Sequence, residues 1–371
     1  MTLAMEVTAR AGPARAGTIR TARGAISTPC FMPVGTKGAV RHLSSQDLAD
    51  LGVQIVLGNT YHLMLKPGAD VISGHGGLHG FADWSGHVLT DSGGYQIFSL
   101  EPGGNVQLDD EGVTFRSTYD GGTHRLTPEL AVDIQTALGS DIQMVLDVCA
   151  PLPSGDAVLR SAVDRTAAWA ARARTAFLAQ ERPELNQFGI VQGGTDLDLR
   201  AESVERTRAV GFDGYALGGL SVGESRDAML DTLAAIVPLL PEDQPRYLMG
   251  LGDPIGMVDA VALGIDLFDC VLPTRFARHG TILSAEGRYN LKRAENTAAD
   301  GPLDPQCGCP VCHRWSRSYL RHLLVVDEPT GPRLITLHNL WWTLALVDEI
   351  RAAVQAGSLA GVRSRIAAAY G

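Results

Sequence analysis

No apolar run in this chain approaches the roughly 18 residues that a membrane span requires. The longest, such as residues 234–240, are short, and Pro238 breaks that one. Residues 1–17 mix Arg, Gly and Pro and lack the apolar core of a secretion signal, so a cytoplasmic protein is expected. Positive charge is in deficit: 31 Lys and Arg stand against 41 Asp and Glu, a net charge of −10. That excludes a protein coated along its length by nucleic acid. Cysteine is scarce, six in 371 residues, and a disulfide framework is not expected at this length in a reducing compartment. Internal repeats and low-complexity tails are absent as well. The remaining composition, 45% apolar and 19% charged, is that of an ordinary globular chain long enough for one large α/β domain.

The charge deficit is uneven. Between residues 273 and 323, eight basic side chains (Arg275, Arg278, Arg288, Lys292, Arg293, Arg314, Arg317 and Arg321) outnumber four acids, so this stretch carries +4 and the rest −14. Such polarisation suits an anionic partner that docks on one side, because phosphate attraction acts over a Debye length of roughly 8–10 Å. A solvated basic surface is the plainer alternative.

Six residues, Asp91, Asp147, Gln192, Gly219, Met249 and Asp269, recur where apolar strand-like runs end, at 88–90, 142–146, 188–191, 214–218, 246–248 and 265–268. Runs at 32–34 and 54–57 bring the strand count to eight. Helical patterns lie between most of them, over 45–51, 128–138, 157–180, 198–210, 225–237 and 255–263. This alternation predicts a parallel sheet, and its size predicts a (β/α)8 TIM barrel as a single domain over residues 1–371. Parallel strands point one way, so the six ends converge on the rim where such barrels hold their chemistry. Two stretches depart from the repeat. Residues 103–126 read as an inserted hairpin, and residues 285–338 as an inserted subdomain before a last helix that starts near His338.

Within the second insertion, Cys307, Cys309 and Cys312 form Cys-x-Cys-x-x-Cys, with His338 downstream. Three thiolates and one imidazole complete a closed tetrahedral zinc shell, which holds structure and does not activate water. Reduced thiols or a redox pair are the alternative. A loop this poor in apolar residues is expected to depend on the metal. Gly250, Gly252 and Gly256 approximate a dinucleotide fingerprint, with Asp269 as its acid. The third glycine is one position late, Pro254 occupies the turn, and the unit is the seventh in its series, so no nucleotide cofactor is expected. The rim residues have plainer readings too. Asp91 and Asp269 could be caps or surface acids, Asp147 a helix cap, Gly219 a turn residue, and Tyr95 and Met249 simple core. Their convergence on one rim favours a site.

The chain reads Gly58-Asn-Thr-Tyr-His-Leu63, Asp91-Ser-Gly-Gly-Tyr-Gln96, Val191-Gln-Gly-Gly194, Leu217-Gly-Gly-Leu220, Tyr247-Leu-Met-Gly250 and Phe268-Asp-Cys-Val-Leu-Pro-Thr-Arg275, followed by the cysteine–histidine quartet. In this order the motifs resemble the tRNA-guanine transglycosylases, bacterial type, over nearly the whole chain. The resemblance implies a (β/α)8 barrel with a structural zinc, a homodimer, and a tRNA anticodon loop as partner. Guanine at the wobble position would be exchanged for a 7-deazaguanine base in queuosine biosynthesis. It further implies Asp269 as nucleophile and Asp91 as general acid/base. Asp147 would accept from the base's N1 and 2-amino edge. Gln192 and the Gly218–Gly219 backbone would read its 6-oxo group, and Leu220 its 7-substituent. Tyr95 and Met249 would sandwich the base, Ser92 would complete its wall, and Arg275 and Arg278 would contact flanking nucleotides. With an ordinary aspartate pKa of about 3.9, Asp269 could attack as it stands, whereas Asp91 would need surroundings that let it hold a proton. Val148 stands where bacterial members commonly have an acid, with Glu224 retained, and His279 replaces a usual Asn. The entering base is expected to be 7-aminomethyl-7-deazaguanine, with queuine as the alternative. A zinc-stabilised barrel acting on free nucleosides, or a non-catalytic RNA-binding relative, are the competing classes.

Overall fold

The computed structural model describes residues 3–100 and 106–371. Eight parallel strands close into a barrel: β1 (Cys30–Gly35), β2 (Ile55–Gly58), β3 (His87–Thr90), β4 (Ile142–Met144), β5 (Asn186–Val191), β6 (Gly214–Leu217), β7 (Arg246–Leu248) and β8 (Leu267–Cys270). Each pairs with the next, and β8 closes on β1 through Leu267–Cys30 and Phe268–Phe31. Phe31, Met32, Met144, Phe188, Tyr247 and Phe268 are wholly buried, as expected of strands covered on both faces. Helices alternate with the strands. Thr127, Asp196, Ser225 and Asp253 each accept a first-turn backbone N–H, which fixes where the four following helices begin. No helix among the described residues is long and apolar enough to cross a membrane.

The three-stranded antiparallel sheet of Ala4–Ala11, Ala14–Thr21 and Gly24–Thr28 has no counterpart in the sequence reading. It covers the N-terminal end of the barrel, opposite the rim. Its contacts go to residues at or just before strand starts: Leu3 N–H to Asn186, Ser27 N–H to Gln54, and Arg23 to Asp141. The strongest is Arg15, wholly buried, whose guanidinium meets both oxygens of buried Asp266 at 2.8 and 2.5 Å. Breaking such a pair strands one buried charge at a cost of about 3–5 kcal/mol. Asp266→Ala should therefore lower the melting temperature by several degrees while the folded fraction keeps its activity; thermal unfolding followed by circular dichroism checks this.

Two inserted regions differ from expectation. Residues 103–105 lie outside the described residues; beyond them, Gln107–Leu108, Val113–Arg116 and Thr123–Leu126 form a three-stranded sheet, one strand more than a hairpin. The long helix expected to start near His338 instead spans Thr330–Ala356, so His338 lies inside it. Gly331 and Pro332 occupy its first turn, where backbone N–H groups have no intrahelical partner and proline is tolerated. The stretch before it is not poor in apolar contacts. Ile282, Leu291, Leu303, Val311, Leu320, Leu324 and Ile335 form a small core of their own.

Candidate active site

The rim at the strands' C-terminal ends encloses a cavity of about 290 Å³, at the small end of the roughly 300–1,000 Å³ usual for small-molecule sites. Asp91, Ser92, Tyr95, Asp147, Gln192, Gly218, Gly219, Leu220, Met249 and Asp269 all line it. A second cavity of about 270 Å³ lies against β1, β2 and the helix Ser45–Asp50, and no titratable side chain lines it.

Asp91 follows β3, and its N–H continues the ladder to Gly58. Its carboxylate is surrounded by donors. Oδ1 accepts from the N–H of Thr60 at 2.9 Å and of Gly93 at 3.2 Å; Oδ2 accepts from the amides of Asn59 and of Gln96, the latter at 2.9 Å. Burial outweighs these donors, and with help from the neighbouring charge of Asp269 it pushes the Asp91 pKa up to about 6. Asp147, buried in the segment just past β4, is likewise pushed up to about 6 by burial, against the hydrogen bond from Gln192. Gln192 Nε2 donates to Asp147 Oδ2 at 2.7 Å.

Gly218 and Gly219 make room for that amide. A Cβ on Gly219 would lie 2.4 Å from Gln192 Oε1, and one on Gly218 would lie 2.6 Å from Nε2; Gly219 also has φ +64. On the far side, Asp269 in β8 accepts through Oδ1 from Tyr247 Oη at 2.5 Å and from the N–H of Gly250 at 2.7 Å. No described hydrogen bond engages Oδ2. Burial raises the Asp269 pKa, opposed by those two donors, so this group is not the ordinary aspartate that sequence suggests. Gly250, from the fingerprint-like run, thus serves Asp269, and Pro254 opens the next helix. Tyr95 is 53% exposed and Met249 half-buried; neither is simple core.

Arg275 and Arg278 stand outside the cavity on Leu272–His279, the helix that follows β8. Burial and the charges of Arg41 and Arg275 lower the Arg278 pKa. The Arg41, Arg275 and Arg278 guanidiniums therefore lie near one another, and none of the three is in a described ion pair. Asn59, Gln96 and Tyr247 lie within the motifs quoted above, which assign them no role. Asn59 had a signal, because it directly follows β2 just as Asp91 follows β3.

Away from the rim, the ligand atoms of Cys307, Cys309, Cys312 and His338 all lie within 4.8 Å of one another. His338 Nδ1 is 3.5, 3.4 and 3.3 Å from the three sulfurs. A tetrahedral ion with thiolate bonds of about 2.3 Å and an imidazole bond of about 2.0–2.1 Å implies N···S separations of about 3.5 Å. The donor set therefore fits a four-coordinate metal. His338 Nε2 lies 2.8 Å from the Leu283 carbonyl, which fixes the ring and leaves Nδ1 free to ligate.

A family model described as queuine tRNA-ribosyltransferase matches residues 10–371. The chain belongs to this family. Relatives named queuine tRNA-ribosyltransferase include one from Solidesulfovibrio magneticus, 51% identical over 97% of this chain and 95% of its own. Another, from Pelotomaculum thermopropionicum, is 49% identical over 93% and 92%. A third, from Gluconacetobacter diazotrophicus, is 48% identical over 96% and 92%. Membership of this ribosyltransferase family makes the chain a pentosyltransferase.

Proposed function

We propose that this protein replaces guanine at the wobble position of a tRNA anticodon with 7-aminomethyl-7-deazaguanine, through a covalent ribosyl–Asp269 intermediate. The observation that carries the reading is the pairing of two unlike carboxyl groups in one base-sized cavity. Asp91 titrates at about 6, while Asp269 has one oxygen tethered and the other without a described partner. In the first half-reaction the free Asp269 oxygen attacks C1′, the bond from C1′ to N9 breaks, and Asp91 gives its proton to the departing guanine. In the second, the entering base attacks C1′, displaces Asp269 and returns a proton to Asp91. Bond type and charge balance without a redox cofactor or ATP, as in retaining glycosidases.

Protonated Asp91 needs a hydrogen-bond acceptor, and every present partner donates. The Gln96 carbonyl is buried without a partner; a half-turn of that amide would offer it to the acid. Tyr95 and Met249 stack on the base, Asp147 accepts from its N1 and 2-amino edge, Gln192 and Gly219 meet its 6-oxo group, and Ser92 completes the wall. A cationic 7-aminomethyl group suits the opposite wall. Glu224 accepts the N–H groups of Ser221 and Val222, and a trans peptide then turns the Leu220 carbonyl away from Glu224 as an acceptor for the ammonium. Arg275 and Arg278 take the flanking nucleotides of the anticodon loop, and the basic 273–323 stretch takes the phosphates. The Cys307–Cys309–Cys312–His338 quartet holds a structural zinc, which when bound ties the helix Thr330–Ala356 to the segment before it. The protein acts as a cytoplasmic homodimer, and residues 103–126 and 285–338 are insertions in one barrel domain.

Incubation with tRNA and labelled 7-aminomethyl-7-deazaguanine should place label in the anticodon loop, faster than with queuine. Turnover of free nucleosides without tRNA would contradict the reading. A pH prediction follows from Asp91. With a pKa of about 6, roughly a tenth of the carboxyl is protonated at pH 7 and less above it. Single-turnover guanine release should therefore fall as pH rises from 6 to 8, and Asp91→Asn should flatten that limb while costing about 10²–10⁴-fold in rate.

A further inference from the structure

Arg200 is wholly buried, yet no described carboxylate pairs with it. Among the described residues its guanidinium donates to backbone carbonyls: Nε to Gly194 at 2.8 Å, Nη1 to Val191 at 2.9 Å and Nη2 to Gly219 at 3.3 Å. Its own N–H bonds to Asp196, the residue that caps Leu197–Val210, so it stands in the first turns of that helix. A positive charge there opposes the helix dipole. Burying an unpaired guanidinium is costly in any case; burial lowers its pKa to about 10, which leaves it charged at neutral pH. A residue kept under these penalties needs a use that packing does not supply.

The three carbonyls belong to the ends of β5 and β6 and to the turn after Gln192, the segments that form one wall of the cavity. Gly219 and Gln192 line that wall directly. Fixing the Gly219 carbonyl fixes the plane of its peptide, so the N–H of Leu220 must point away from Arg200. Glu224 fixes the next peptide from the opposite side through Ser221 N–H. Two charged side chains of opposite sign thus set two successive peptides.

Building on the base-exchange reading above, we infer that Arg200 is a positioning residue that determines base specificity: its fork locks the Gln192–Gly219–Leu220 wall so that backbone donors meet the 6-oxo group of the base.

The test is exchange of labelled guanine into tRNA, with 2-aminopurine, which lacks the 6-oxo group, as competitor. Arg200→Lys keeps the charge but cannot reach three carbonyls, and Arg200→Met keeps only the bulk. For both, KM for guanine should rise about 10- to 100-fold, the scale of one well-placed hydrogen bond to a polar site. Discrimination against 2-aminopurine should fall by a similar factor, with KM for tRNA unchanged. A folded Arg200→Lys with wild-type KM and discrimination would overturn the inference. So would failure of both variants to fold, which would make the residue a support of the fold. Absence of exchange in the wild-type protein would instead overturn the base-exchange reading, and this inference with it.

Discussion

Asp269→Asn is expected to lower base exchange by at least about 10³-fold and to leave no covalent RNA adduct. The amide is nearly isosteric, so Tyr247 and Gly250 retain an oxygen to bind, but a neutral amide is a very poor nucleophile. The size of the loss separates two possibilities. If Asp269 only stabilised positive charge on the ribose, water or the entering base could still react and about a hundredth of the rate could survive. If it forms the ester, both half-reactions fail together. Rapid-quench measurement of guanine release, run beside the steady-state assay, reads both halves. Unaltered tRNA affinity in the variant would show that the loss lies in chemistry.

Removing the metal, or one of its ligands by Cys309→Ala, is expected to loosen residues 285–338 without unfolding the barrel. Structural zinc is worth about 10–16 kcal/mol in isolated peptides, where nothing else holds the chain. Here Leu291, Leu303, Leu320, Leu324 and Ile335 supply a separate core, so part of the order should survive. Amide hydrogen exchange should then rise in 285–338 and in the first turns of Thr330–Ala356, and stay low in β1–β8. Because Arg275 and Arg278 sit on the helix packed against Thr330–Ala356, tRNA binding should weaken more than base binding. Global unfolding at the same chelator concentration would show that the small core contributes little.

Much of the fold was legible because barrel strands buried on both faces leave short apolar runs, and each run's end could be located to within a residue or two. Asp91, Asp147, Gln192 and Met249 directly follow such runs, while Asp269 lies within β8 itself. The quartet was legible because thiolate spacing reflects coordination geometry. The N-terminal sheet left a signal that went unread: Met5, Val7 and Ala9 alternate with Glu6, Thr8 and Arg10 along its first strand, but its apolar face is only half-buried and its arginines, glycines and proline suggest irregular chain. Gln96, Tyr247 and Arg200 were hidden for a different reason. Gln96 meets the Asp91 carboxylate, Tyr247 that of Asp269, and Arg200 three carbonyls, and nothing beside these residues in the sequence marks which group each will face. The start of Thr330–Ala356 was placed too late, because proline and glycine are tolerated in a helix's first turn and sequence does not display where that turn falls. The pKa values of Asp91 and Asp269 likewise depend on burial that only the closed barrel creates.

The most direct test of a nucleophilic Asp269 is to trap the protein on tRNA. The full chain would be mixed with tRNA while an added guanine deaminase removes the released base, then denatured and digested for mass spectrometry. A ribosyl-linked RNA fragment on the peptide containing Asp269, lost when 7-aminomethyl-7-deazaguanine is added before denaturation, is the predicted result. Guanine release with no adduct, or an adduct on Asp91, would contradict it.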